Sequence, residues 1–313
     1  MTKTRYLLHR LAYLLPTVLA ITVLVFFMIH LIPGNPAIAM LGPRATPARV
    51  AALEQLWGLN RPLASQYWLF MDRLFHGNLG VSLFLHESVA TLIAQRIGPT
   101  LLLLTAGTVF TIVITVPLAA LAASRKGGVF DQLIRIVPLV GLSIPAFWMG
   151  IILLLIFALK FPIFPVAGFG VGFGGHLVSI VLPALTVAFA IAPLTIRSLR
   201  TAMLEAFSSD YVVTARAKRI RESRVVFRHA LRNALPPAVS VLGVNIGWLV
   251  GGTVIVEQVF GLPGLGSLML SSIYNKDFPV VQGVTLVFAG LVVLINLATD
   301  LLFALLDPRV SFE

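Results

Sequence analysis

The sequence predicts an all-α integral membrane protein with six transmembrane helices, and three observations predict it. First, 58% of its 313 residues are hydrophobic and only 11% are charged, with a mean hydropathy of +0.97. Soluble domains carry roughly 45–50% apolar and about 25% charged residues, so much of this chain must face lipid. Second, six runs come near the roughly 20 apolar residues that a helix needs to cross the hydrocarbon core. They cover residues 11–32, 99–123, 133–159, 177–196, 234–256 and 280–305. Third, fifteen of the 23 Lys/Arg fall at the N-terminus, in the second-to-third and fourth-to-fifth connections and in the tail, and Arg135, just inside the third run, makes sixteen on that face. Short loops rich in Lys/Arg stay in the cytoplasm. Both termini and the long basic loop are therefore placed on the cytoplasmic side of the membrane.

The first run follows Lys3, Arg5 and Arg10, as a secretory signal would. It is longer than the usual apolar core of a signal peptide and no small-residue cleavage site follows it. It reads as a retained span.

Residues 33–98 form a long segment on the outer face, too long for a structureless loop. "TPARVAALEQLWG" (46–58) reads as a helix, with Thr46 as cap, Pro47 in the first position and Gly58 as stop. "RPLASQYWLFMDRLFHG" (61–77) reads as a second, with Leu63, Tyr67, Phe70 and Leu74 on one face. Two readings stand for these helices: they lie on the outer leaflet, or that face receives an external protein.

In the fourth run Pro183 and Pro193 predict a kink. "GFGVGFGG" (168–175), just before it, lacks the Lys-Ser/Thr of a phosphate-binding loop and reads as a flexible outer loop. In the fifth run Gly243, Gly247 and Gly251 recur every four residues, a spacing that lets two helix backbones approach closely. Their partner is either another span of this chain or a second subunit. Glu257 closes that span at its outer end, where a functional and a hydrated structural role both fit. The spans are otherwise almost free of ionisable side chains, with Asp300 in the sixth as the main exception.

The absence of cysteine excludes disulfides, thiol catalysis and iron–sulfur ligation. The six His show no metal-ligand spacing, and no Ser/His/Asp arrangement or intramembrane carboxylate pair suggests catalysis, so no metal site is expected and the chain does not read as an enzyme. No GxxxxGK[ST] occurs, so any ATP must be hydrolysed by another polypeptide. The net charge of +11 sits in membrane-flanking loops, where it anchors topology and meets anionic lipid. It is not the exposed basic face of a nucleic-acid reader. From the residues alone, a six-span transporter or channel is the reading, with a secondary transporter or a membrane enzyme as the other classes.

The basic loop carries more pattern than topology requires. Within residues 210–237, "DYVVTARAKRIRESRVVFRHALRNALPP", seven Lys/Arg stand against two acids. Ser209 or Asp210 offers a helix cap, small residues follow at Ala215 and Ala217, and "RVVFRHALRNALPP" reads as a second helix leading into the membrane. Two short helices joined near residues 220–223 make an angular knob suited to a protein partner.

This loop resembles the cytoplasmic loop of binding-protein-dependent ABC importer permeases. "FFMIHLIPGNPA" (26–37), "GLNRPLASQYWLF" (58–70), "GNLGVS" (77–82), "GLSIPAFWMGI" (141–151), "GGTVIVEQVFGLPGLGSL" (251–268), "DFPVVQG" (277–283) and "NLATDLLFALLDPRV" (296–310) extend the resemblance over nearly the whole chain. They resemble the dipeptide/oligopeptide/nickel branch, and within it the first of its two permease subunits. The resemblance implies a type I ABC importer transmembrane domain over residues 93–306, with a coupling loop at 199–232. The first helix and outer segment (1–92) precede it, and a short tail (307–313) follows. It implies a second homologous permease subunit, two ABC ATPase subunits that bind ATP and Mg, and an extracytoplasmic solute-binding protein. Asp210, Tyr211, Thr214, Ala215, Arg216, Ala217, Lys218 and Arg219 become the ATPase-coupling element, and the Leu63, Tyr67, Phe70 and Leu74 face a seat for the binding protein. The substrate it implies is a di- or oligopeptide, with nickel chelates or another small solute as alternatives. Two departures stand out. The family usually has Gly where this chain has Arg219, and often Asp where it has Asn35 and Asn78. Gly at the first position permits a turn with positive φ, so Arg219 must either accept an unfavourable backbone or turn differently.

Overall fold

A computed structural model describes residues 3–31, 35–42 and 45–306. Thirteen α-helices follow one another in the described residues: α1 (Lys3–His30), α2 (Pro36–Leu41), α3 (Pro47–Trp57), α4 (Leu63–Phe75), α5 (Val89–Ser124), α6 (Val129–Leu142), α7 (Ala146–Leu154), α8 (Gly172–Phe207), α9 (Asp210–Ala217), α10 (Glu222–Arg224), α11 (Leu231–Phe260), α12 (Leu265–Tyr274) and α13 (Phe278–Leu306). π-helical turns extend α7 over Leu155–Lys160 and join α10 to α11 over Val225–Ala230. No strand forms among the described residues; Val81 and Ser88 make an isolated antiparallel bridge.

Among the described residues each of the six apolar runs falls largely on helix. α5, α8, the continuous stretch Glu222–Val259 and α13 are each long and apolar enough to cross a membrane. In α1 the shorter helical stretch Leu14–His30 is the apolar part. The third run is not a single rod. α6 and α7 with its π-helical extension are bent by 101° at residues 143–145. Pro145 is the cause: it cannot donate a backbone hydrogen bond, and it disfavours the helical conformation in the residue before it. At about 1.5 Å per residue the 14-residue α6 spans only about 21 Å, too short to cross alone. Pro183 and Pro193, by contrast, sit inside an α8 that stays helical throughout.

The described residues divide into two compact units, one within 101–262 and 294–306, the other within 3–100 and 263–293. In the first unit α8 is the hub, and one core brings Ala119, Ala120 and Ala123 of α5 to Ala192, Ile196, Leu199 and Met203 of α8 and to Ala230, Ala234 and Ala238 of the α11 arm. Small side chains there let backbones approach, which is how helices associate where lipid supplies no hydrophobic drive between them. A second core gathers Leu103, Leu153, Ile180, Val187, Leu242 and Phe260. Asp131 in the first turn of α6 is almost fully buried and receives a two-pronged hydrogen bond from Arg200 of α8, at 2.6 and 2.8 Å, plus the Gly127 amide at 2.9 Å.

"GFGVGFGG" is only half loop, since its last four residues are helical. Its end opens α8 at Gly172, and His176 stacks on Phe169 at 4.1 Å while its Nδ1 donates to the Phe169 carbonyl at 2.7 Å.

In the second unit α3 is built as its sequence directs. Thr46 Oγ1 accepts from the Arg49 amide, Pro47 opens the helix, and Gly58 stops it with φ +68°. Asn35 uses both ends of its amide: Oδ1 accepts from the Ala37 amide at 2.9 Å and Nδ2 donates to Glu54 at 2.7 Å. An Asp there could not donate to Glu54, so this amide has a physical reason. Asn78 Oδ1 accepts from the Gly80 amide at 2.9 Å, a bond an Asp would also accept.

Candidate functional site

The knob between α8 and α11 forms as a compact unit. Ser209 takes the N-cap position of α9 with extended backbone. Its hydroxyl, however, donates to the Glu205 carbonyl at 3.1 Å and closes α8 rather than capping α9. Asp210 stands in the first turn of α9, where a negative charge suits the helix dipole. At the other end the Arg219 amide donates to the Arg216 carbonyl at 2.8 Å and the Ile220 amide to the Ala215 carbonyl at 3.2 Å. That paired pattern is a Schellman stop, which needs a left-handed residue after the cap. Arg219 supplies it with φ +54°. The chain accepts the unfavourable backbone and makes the left-handed turn with an arginine.

Inside the knob Val212, Ala215 and Val225 are buried together, with Phe207 and Ile220 packed against them. Arg216 closes it from outside. Its guanidinium donates to both Glu222 oxygens, at 2.6 and 3.3 Å, and lies over the Phe207 ring at 5.4 Å. Those hydrogen bonds hold the Glu222 carboxyl below the usual carboxylate range.

Of the eight residues in the coupling set, Asp210, Tyr211, Thr214, Arg216, Ala217, Lys218 and Arg219 are exposed, whereas Ala215 is 5% exposed and turned into the knob. A small residue is needed at 215 for packing against Val225, not for an outside contact. Val213, which the sequence pattern did not single out, is 58% exposed beside Tyr211 at 41%.

The outer set is turned the other way. The structure seats Tyr67 and Phe70 on α1: their rings lie 5.4 and 6.0 Å from that of Phe26, and the Tyr67 hydroxyl hydrogen-bonds Thr22 Oγ1 at 3.0 Å. Gln66 is buried between the two helices. Its amide NH2 donates to the carbonyls of Leu59 and Arg61, and its oxygen meets Nε2 of His30 at 2.9 Å. Leu74 joins Phe70 in lining a small cavity beside Phe26 and His30. Of the four, Leu63 alone is exposed, and the face of α4 open to solvent or lipid carries Trp68 and Phe75 instead. Alternating heptad-like spacing identified an apolar face correctly but not its occupant, because an apolar stripe on a short helix is claimed first by the nearest apolar neighbour.

The glycine stripe divides. A Cβ on Gly243 would overlap the Thr299 side chain of α13, so that position packs within the chain; a Cβ on Gly251 would meet nothing within 4 Å beyond its own helix. Gly247 is half-buried. Glu257 is fully buried.

Sequence reasoning missed Asp277. It is 2% exposed and accepts from the Ser82 hydroxyl and from the amides of Leu83 and Phe84, at 3.2 and 3.4 Å, which ties "GNLGVS" to "DFPVVQG". An acid at the edge of an apolar run was the available signal.

Comparison with known proteins agrees with this architecture. The family model described as binding-protein-dependent transport system inner membrane component matches residues 115–312, and its N-terminal companion matches residues 3–105. A Brucella suis protein provisionally named a peptide permease is 40% identical over 98% of this chain and 99% of its own length. The glutathione transport system permease protein GsiC of Pectobacterium atrosepticum is 36% identical, and the dipeptide transport system permease protein DppB of Lactococcus lactis 35% identical, each over 98% of this chain and 99% of the relative. Among solved structures, the inward-facing MetNI methionine ABC transporter matches with a TM-score of 0.57 at 20% identity, covering 69% of this chain and 96% of that one. The likeness in fold, the length of the matches and the level of identity lead to one conclusion: the chain belongs to the binding-protein-dependent transport system inner membrane component family, the permease subunits of ABC importers.

Proposed function

We propose that this permease forms half of the pathway by which peptides enter the cell, and that α9 is where ATPase movement reaches the membrane helices. Peptide as substrate rests on the names of the relatives, three of which are permeases for peptides, dipeptides or glutathione. A second homologous permease subunit completes the pathway, two ATPase subunits take the knobs on the cytoplasmic side, and an external binding protein delivers the substrate. Nucleotide binding closes the ATPase pair and shifts the permease from inward-open to outward-open, which requires that the ATPases bind the two states unequally.

The observation that carries the coupling role is the surface of α9. Tyr211 and Val213 stand exposed on a largely charged knob whose inner side is packed by Val212, Ala215 and Val225, with the Arg216–Glu222 pair across its outside. Exposed apolar side chains ringed by charge suit a protein cover, and a rigid knob transmits a push where a floppy loop absorbs it. The test is Ala217→Arg, which adds bulk to the exposed side of α9 without touching its core. In the assembled complex it should abolish substrate-stimulated ATP hydrolysis while the permease still purifies folded; normal stimulation rules out α9 as the coupling surface. Substrate class is tested separately, by identifying what the co-purifying binding protein carries: a peptide is expected, and a nickel chelate replaces the assignment. On the outer face we assign binding-protein contact to Leu63, Trp68 and Phe75. Trp68→Ala with Phe75→Ala should weaken its capture, and unchanged capture returns that face to lipid.

A further inference from the structure

Two adjoining cavities in the first unit are unlike each other. One, of about 420 Å³, is walled almost wholly by apolar side chains of α5, α6, α7 and α8, among them Leu118, Val137, Gly141, Met149 and Phe189. The other, of about 290 Å³, is walled by Arg135, Arg197, Arg200 and Thr201 with Ile134. They share Pro138, Pro193 and Ile196, so the apolar space ends where the basic one begins. Spaces of roughly 300–1,000 Å³ are the usual size of small-ligand sites.

The charges of the basic end are unequally engaged. Arg200 is held by Asp131. Arg135 and Arg197 are exposed and, among the described residues, make no side-chain hydrogen bond or ion pair. No acid lines this cavity. Two exposed guanidiniums at one end of an apolar groove, Arg135 within reach of the Asp131 charge but bonded to no acid, suit an amphipathic ligand with an oxyanion at one end and hydrocarbon behind it. A soluble anion leaves the apolar space unfilled, and an uncharged apolar ligand leaves the arginines unmatched. α6 is suited to such a place. It is a short helix bent by 101° from its successor, with apolar Ile136, Val137 and Val140 exposed and Arg135 at their edge, the composition of a helix that lies at a membrane interface.

We propose that the groove between α6 and α8 is a binding site for an anionic phospholipid, its phosphate on Arg135 and Arg197 and an acyl chain in the apolar cavity. Basic pockets between membrane helices recognise acidic headgroups by this combination. The site is distinct from the coupling knob, and it makes the seating of α6 against α8 responsive to the lipid around it.

The test uses the assembled complex, exchanged into vesicles of equal phosphatidylglycerol and phosphatidylcholine, with retained lipid measured by native mass spectrometry. Phosphatidylglycerol should be enriched over phosphatidylcholine in the unmodified complex, and Arg135→Gln with Arg197→Gln should hold about tenfold less of it. Both arginines are exposed, so this variant leaves the core intact. A second variant, Gly141→Leu, fills the apolar end without altering charge: nothing lies within 4 Å of a Cβ at Gly141. It should lower retention as well. Equal retention of both lipids by the unmodified complex overturns the proposal, as does undiminished phosphatidylglycerol in both variants. Full displacement by inorganic phosphate also overturns it, since the ligand is then a soluble oxyanion.

Discussion

The amide of Arg219 reaches the carbonyl of Arg216 at 2.8 Å because Arg219 holds a left-handed backbone, φ +54°. A residue with a Cβ takes that conformation at a cost of about 1–2 kcal/mol. The turn persists because two hydrogen bonds and the packing of Ile220 on Ala215 need it. Arg219→Gly should therefore raise the thermal stability of the purified permease by about 1 kcal/mol and leave transport intact. Arg219→Ala is the control, since it removes the guanidinium but not the strain, and should gain nothing. If both gain equally, the cost lies in the side-chain charge among Lys218, Arg221 and Arg224 and not in the backbone.

Gly243 and Gly251 share a stripe but not an environment. Gly243→Ala drives a Cβ into Thr299 and should destabilise the fold by about 1–3 kcal/mol, the usual range for overpacking. Gly251→Ala meets open space and should leave the isolated chain's melting temperature unchanged. Thr299→Gly combined with Gly243→Ala should recover most of the loss. No recovery would mean that the two helices do not press together at that point.

The helices were largely legible in the sequence because apolar length and capping chemistry are local. Thr46, Pro47 and Gly58 bound α3 where their side chains and backbone preferences require. The bend before Pro145 was not separated from the tolerated Pro183 and Pro193. A proline shows that a hydrogen bond is missing but not whether the helix breaks there, as before Pro145, or runs on, as through Pro183 and Pro193. Side-chain orientation was less legible still. Tyr67 and Phe70 form a real apolar face, yet only the placement of Phe26 and Thr22 decides that α1 occupies it. Ala215 and Ala217 look alike in sequence and are separated by burial alone. Asp277 and Ser82 lie 195 residues apart, so no local pattern joins them.

That distant pair makes a prediction of its own. Asp277 meets three donors, a requirement that a carboxylate satisfies and an amide does not. Asp277→Asn turns an NH2 toward at least one of them and should cost about 2 kcal/mol or more. Ser82→Ala should cost less, although it also removes the acceptor of the Leu85 amide, at 2.8 Å. The double variant should lose less than the two singles together, because both break one network. Strict additivity in thermal unfolding would show that the two residues stabilise independently.

The Glu222–Arg216 pair sets an acid limit on the knob. Arg216 holds the Glu222 carboxyl below its ordinary value, so the pair's stabilisation is complete above the ordinary glutamate range and is lost as pH falls through the lowered value. Both side chains are about half exposed, and solvent screening keeps the pair's worth to about 1 kcal/mol or less. ATPase coupling should therefore not vary with pH between 6 and 8 on this account, and Glu222→Gln should alter stability only slightly at neutral pH.

Asp131 and Arg200 form a pair of a different kind, since the Asp131 side chain is 2% exposed and that of Arg200 15%. Removing one partner of a buried pair strands the other charge and costs about 3–5 kcal/mol. Asp131→Ala should thus lower stability by about 3 kcal/mol, and it also frees the Gly127 amide that shapes the turn before α6. Arg200→Lys keeps the charge but loses the parallel two-point bond that a planar guanidinium makes, so it should recover only part of the difference. Asp131→Leu with Arg200→Leu removes both charges and should be more stable than either single removal. If the double variant is instead the least stable, the pair contributes favourable energy in its own right, and α6 is held to α8 by attraction and not by the cost of leaving a charge unmatched.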